Sequence, residues 1–164
     1  MLQRIQSIFL ALAAIVMVII VFLPLWQKID VEKSEIVTIT ALEITHIRYA
    51  GDGVAVDEIL AEKNIMYVAA LCLIAAGVAI FSIFQYGNRL RQIQFGALNS
   101  LIIGGTMFLV LYFCWNAEKT IVPAEKGAYL AAFYLFPVAL ILNSMANRFI
   151  RRDERLVRDS DRLR

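Results

Sequence analysis

The feature that most constrains this chain is the stretch from Ile5 to Trp26, 22 residues without a charged side chain. At about 1.5 Å of rise per residue, a helix of that length reaches across a hydrocarbon core of about 30 Å. A soluble helix of this length keeps a polar face, and this one has none. The stretch therefore predicts a membrane span, and everything after it is read in alternation, inside or outside.

Three further apolar blocks follow, at 65–86, 95–115 and 127–147. None of the four contains Asp, Glu, Lys, Arg or His. They account for a composition that is 60% hydrophobic and 18% charged over 164 residues, against about 45–50% and about 25% in ordinary soluble domains. The first block is too long for the h-region of a signal peptide, about 7–15 residues, so an uncleaved span is expected. Cys72 and Cys114 both fall inside spans and the exported loops hold no cysteine, so a disulfide is not expected.

The segment 27–64 is polar and β-like. Ile36-Val37-Thr38-Ile39-Thr40 is rich in β-branched residues, and Leu42, Ile44 and His46 alternate with Glu43, Thr45 and Ile47. Glu32-Lys33-Ser34 and Ala50-Gly51-Asp52-Gly53 read as turns, the second before Val54-Ala55-Val56. Residues 57–64 read as helical, with Glu58 and Glu62 on one face. The expected architecture is an all-α membrane protein. Its four-helix bundle carries a small extracytoplasmic β-hairpin or sheet between the first two helices, and a cytoplasmic helix at 148–164.

Orientation follows from the basic residues. With the N-terminus inside, the inner segments hold ten Lys and Arg against four acids, net +6. The outer segments hold six against ten, net −4. Both termini are thus expected in the cytoplasm. Trp26, Tyr67, Trp115 and Tyr129 fall at the outer boundary, where amphipathic rings sit well.

Small residues mark where helices approach in lipid, which gives no hydrophobic reward for association. The third span has Gly96, Ser100 and Gly104; the second has Ala69, Cys72, Ala76 and Ala79; the first has Ser7, Ala11 and Ala14. These read as seams of the bundle, with a dimer contact as the alternative. Asn99 and Asn143, with Gln6 and Gln85, suggest a polar layer near the cytoplasmic side, read as packing glue or as a polar pocket. Pro137 lies in the middle of the fourth span, removes a backbone donor and predicts a kink.

Chemistry is thinly represented. The absence of ionisable groups in the spans argues against a pump or proton-coupled carrier. His46 is a lone histidine and makes a poor metal site. No phosphate-binding loop, nucleophile elbow or zinc-protease motif occurs. No enzyme activity, cofactor, metal or catalytic residue is assigned. The tail is the most distinctive segment: Arg151, Arg152, Arg155 and Arg158 lie among acids, with Leu156 and Leu163 on a narrow apolar stripe. It reads as an anchor for anionic membrane lipids or as a docking helix for a cytoplasmic or membrane protein. Interspersed acids argue against nucleic acid.

Several segments carry a resemblance. Met1-Leu2-Gln3-Arg4-Ile5-Gln6, Pro24-Leu25-Trp26, Asn88-Arg89, Gln92-Ile93-Gln94 and the run from Ala146 to Arg164 resemble a four-span integral membrane family of Bacteroidota classed as a domain of unknown function. The resemblance implies an inner-membrane location and the four-span fold, and brings no catalytic residues. The expected role is non-enzymatic: an accessory, scaffold or assembly subunit of an inner-membrane complex. The rival is a lipid or small apolar molecule binding or transport protein using a groove at Pro137.

Overall fold

A computed structural model describes residues 2–31, 34–48, 58–85, 87–120 and 126–162. Four helices dominate: α1 (Leu2–Phe22), α2 (Met66–Phe84), α3 (Arg89–Thr120) and α4 (Ala131–Arg162). All four are long and apolar enough to cross a membrane. Each packs on two neighbours, α1 on α2 and α4, and α3 on α2 and α4, which closes a ring. Only the α2–α3 link is short; α1 and α2 are joined through four strands, and α3 and α4 through a link that carries a fifth.

Each helix turns a stripe inward. In α1 it is Gln6, Leu10, Ala13, Met17 and Ile20; in α2, Ala69, Cys72, Ala76, Ala79 and Ser82. The outward faces are apolar too: Ile8, Ile15, Leu73, Phe84, Leu101, Phe108 and Ile141 are all exposed. α3 and α4 have 32 residues each, about 48 Å, and so outreach the apolar layer at their ends. α4 runs without interruption through Pro137 and on into the arginine-rich tail.

The expected sheet is present and larger than foreseen. It has five antiparallel strands in the order β4-β3-β2-β1-β5: β1 (Trp26–Asp30), β2 (Glu35–Ile39), β3 (Glu43–Arg48), β4 (Glu58–Asn64) and β5 (Ala128–Tyr129). Only four of these lie between α1 and α2, since β5 comes from the link before α4. The helix expected at 57–64 is the edge strand β4 instead. Its charged Glu58, Glu62 and Lys63 are exposed and blunt the open edge. The turns expected at Glu32-Lys33 and at 50–53, and the run 54–56, lie outside the described residues.

Backbone hydrogen bonds weld the sheet to the helix ends. The Ala69 amide donates to the Ala41 carbonyl at 3.0 Å, and the Leu130 amide to the Leu25 carbonyl at 3.0 Å. Trp26 is buried in this junction, at 1% exposure, so it is a core residue and not a boundary ring. Gly127 makes room for it: a Cβ there would overlap the Trp26 indole.

Candidate functional site

Charge and buried polarity sort to the two ends of the bundle. At the sheet end several charged side chains are engaged with neighbours. The β2–β3 register places Glu35 opposite Arg48 and Val37 opposite His46, so the three polar groups share one face. Arg48 Nη2 donates to Glu35 Oε1 at 2.7 Å, and His46 Nε2 lies 3.0 Å from Glu35 Oε2. The Arg48 hydrogen bond, then that of His46, holds the Glu35 carboxyl below its ordinary value despite the opposing effect of burial. Buried Lys28 lies 3.6 Å from Glu118, whose carboxylate also accepts from the Gly127 amide. Lys119 covers the Trp115 ring. His46 is thus part of a side-chain hydrogen-bond network that position along the chain did not reveal. Among the described residues, no three His, Cys, Asp or Glu side chains come together as a metal site.

At the other end polar groups turn inward from all four helices. Asn99 and Asn143 meet: Asn99 Nδ2 donates to Asn143 Oδ1 at 3.2 Å. Asn143 Nδ2 donates to the Gly96 carbonyl and to Ser100 Oγ, both at 2.7 Å. Gln92 Nε2 donates to the Ser82 carbonyl at 3.0 Å. Gln6, Ser82, Gln92, Asn143 and Asn147 are all at least nine-tenths buried. The Gln6, Gln92, Asn99 and Asn147 amide oxygens lack a hydrogen-bond partner among the described residues. Gln85 stands apart from this layer, half-buried at the end of α2.

The small-residue stripe of α3 divides. Gly96 is a true close approach, since a Cβ there would overlap the Asn147 side chain. Ser100 joins the Asn143 network. Gly104 is half-buried, and a Cβ there would meet nothing within 4 Å. The α2 stripe of Ala69, Cys72, Ala76 and Ala79 faces the core along its whole length.

Next to the polar layer, between α3 and α4, opens a groove of about 860 Å³. Arg148, Arg151, Arg152 and Arg155 line it, at i, i+3, i+4 and i+7 on one face of α4. Ser100 and Ala97 of α3 complete it, with Ser144 and Asn147. Nearby Asp153 points away to Arg89, 3.1 Å from Nη2 as an ion pair without hydrogen-bond alignment. None of the four arginines has a carboxylate within ion-pair distance among the described side chains. Of the other tail residues singled out in the sequence, Leu156 is exposed, Arg158 belongs to the helix, and Leu163 lies outside the described residues.

Two apolar hollows lie on the helix surfaces. A hollow of about 290 Å³, lined by Leu140, Ile141 and Met145, shares Ser144 and Arg148 with the arginine groove. A second, of about 320 Å³, lies between α1 and α2 and is lined by Ala11, Ala14, Ile15, Val18, Ile19, Ile80 and Ile83. The first of these begins at Leu140, one turn of α4 beyond Pro137.

A family model described as Domain of unknown function (DUF4293) matches residues 2–163, and the chain belongs to that family. No curated protein matches it.

Proposed function

We propose that this DUF4293 protein is an integral protein of the bacterial inner membrane, in Bacteroidota, with both termini in the cytoplasm and no catalytic activity of its own. Its role is that of an accessory, scaffold or assembly subunit of a membrane complex. The observation that carries the reading is the division of charge: at the sheet end Lys28 and Arg48 lie against Glu118 and Glu35, while the α4 end presents a row of four arginines without such partners among the described side chains. Positive charge left beside an apolar helix is what retains a segment on the cytoplasmic side. A catalytic centre would need converging nucleophiles, acids or metal ligands in a cleft; the groove offers arginines and neutral polar groups instead. The exposed Leu156 side of the tail is the face on which a cytoplasmic partner would sit.

A reporter fused after Arg164 should be active only in the cytoplasm, and one inserted at Gly51 only outside. The reverse pattern refutes the orientation. Purification in mild detergent should recover a membrane complex at fixed stoichiometry; a protein recovered alone at native expression refutes the accessory role. The second reading, binding of lipid or a small apolar molecule, is favoured by the open hollow between α1 and α2. Ile15→Trp should fill that hollow and lower retention of an apolar probe, leaving the complex intact.

A further inference from the structure

We propose that the arginine groove is a discrete site for the headgroup phosphate of an anionic glycerophospholipid, with an acyl chain seated in the adjoining apolar hollow. This rests on the membrane reading above and adds a ligand class and a place. Arg148, Arg151, Arg152 and Arg155 face one groove without a carboxylate partner among the described side chains. Guanidinium forks match phosphate oxygens two by two, and clustered basic residues between helices at a membrane surface suit anionic headgroups. Glu154 borders a smaller hollow with Arg151 and Arg155 and closes an ion pair with neither, so the local field stays positive. Ser100 Oγ accepts from Asn143, which leaves its own proton for an oxygen in the groove.

The apolar neighbour decides between a lipid and a free anion. Going from Arg148 toward the middle of α4, the lining changes from guanidinium to Met145, Ile141 and Leu140 within two turns. Ile141 and Met145 are 59% and 40% exposed, so this wall is open to whatever surrounds the helix. Free phosphate or an acidic peptide would use only the polar part. A phospholipid uses both, phosphate at the arginines and chain against the aliphatic wall. The change of lining coincides with the end of the α4 apolar stretch, the depth at which a bilayer places its phosphates.

The test uses the full chain purified in a zwitterionic detergent, with bound lipid counted by native mass spectrometry. Phosphatidylglycerol should be retained and raise the unfolding temperature; phosphatidylcholine should do neither. Arg148→Gln with Arg152→Gln should weaken phosphatidylglycerol retention by about tenfold or more, while Arg91→Gln, at the same end but outside the groove, should leave it unchanged. Both variants should unfold at the parent's temperature in lipid-free detergent. If the double variant is misfolded, Ser144→Glu, which adds one negative charge at an exposed groove position, should lower retention in its place. Equal retention by parent and groove variants overturns the proposal, as does equal loss in Arg91→Gln. Inorganic phosphate stabilising the protein as well as the lipid does would assign the groove to a soluble anion and also overturn it. Capture of an acidic cytoplasmic protein that survives excess phosphatidylglycerol would do the same. Release of the protein from membranes by alkaline carbonate would sink the underlying membrane reading. Integral behaviour without lipid retention sinks only this inference.

Discussion

The two ends of the bundle draw on the same residue types and treat them in opposite ways. At the sheet end, Glu35 is held by Arg48 and His46, Lys28 lies against Glu118, and Lys119 rests on Trp115. Backbone hydrogen bonds tie the strands to α2 and to the start of α4. Among the described side chains, the arginine end has one ion pair, Arg89 with Asp153, four arginines without such partners, and buried amide oxygens left unpaired. Buried polar atoms without partners cost stability, so the first end is built for rigidity and the second keeps binding capacity. The contrast implies that substitutions at the sheet end act on folding, and those at the arginine end on what the protein holds.

The largest effect should come where a glycine faces an immovable ring. Gly127→Ala places a methyl on the Trp26 indole, and Trp26 is 1% exposed and cannot swing aside. A loss of about 3 kcal/mol, the upper range for overpacking, is expected in thermal or denaturant unfolding in detergent. Gly96→Ala makes the corresponding change at the arginine end, against Asn147, whose amide can rotate toward the groove. About 1–2 kcal/mol is expected there, and less than for Gly127. Gly104→Ala, which meets nothing within 4 Å, should be neutral or slightly stabilising. Equal losses at Gly127 and Gly96 would erase the contrast in rigidity.

A loss smaller than at Gly127 should also follow Asn143→Leu. Asn143 makes three hydrogen bonds, from Asn99 and to Gly96 and Ser100. At about 0.6 kcal/mol for each such contact between membrane helices, the loss should be about 1–2 kcal/mol. Retention of anionic lipid should fall with it, because Ser100 is no longer oriented. A variant that loses stability but keeps its lipid would show that the polar layer supports the fold alone.

Much of this architecture was legible because apolar runs longer than 18 residues have few alternatives. β2 and β3 were legible because β-branched alternation is a direct signature of a half-buried strand. β4 was not: Glu58, Leu60, Ala61, Glu62 and Lys63 favour helix, and pairing with β3 overrides that preference. β5 was hidden because Ala128 and Tyr129 continue an apolar run into α4. Gln92 fell in the link before the third apolar block and Asn147 at the last position of the fourth, with no sign that α3 and α4 turn both inward. Spacing alone misplaced Gly104 in the seam. Eight residues on from Gly96 a helix has turned about 80° beyond two full circles, enough to leave the contact with α4.

The most local effect concerns acid. Arg48 first, then His46, holds the Glu35 carboxyl below the ordinary value of 4.5. The folded state therefore favours the charged form more than the unfolded chain does. That contribution is fully present above about pH 4.5 and is lost as the pH falls through the lower folded value. Glu35→Gln removes the titrating group and keeps the side-chain shape. The variant should start with less protection at neutral pH and lose little more on acidification, so that the two proteins converge at low pH. Amide hydrogen exchange resolves the place as well as the size. Protection of the β2 and β3 amides should differ between parent and variant near neutral pH and converge in acid. The α3 amides near Asn99, at the far end of the bundle, should respond alike in both. Parallel pH profiles in β2 and β3 would mean that Arg48 and His46 pair with Glu35 without favouring its charge, and the contrast between the two ends would lose its electrostatic part.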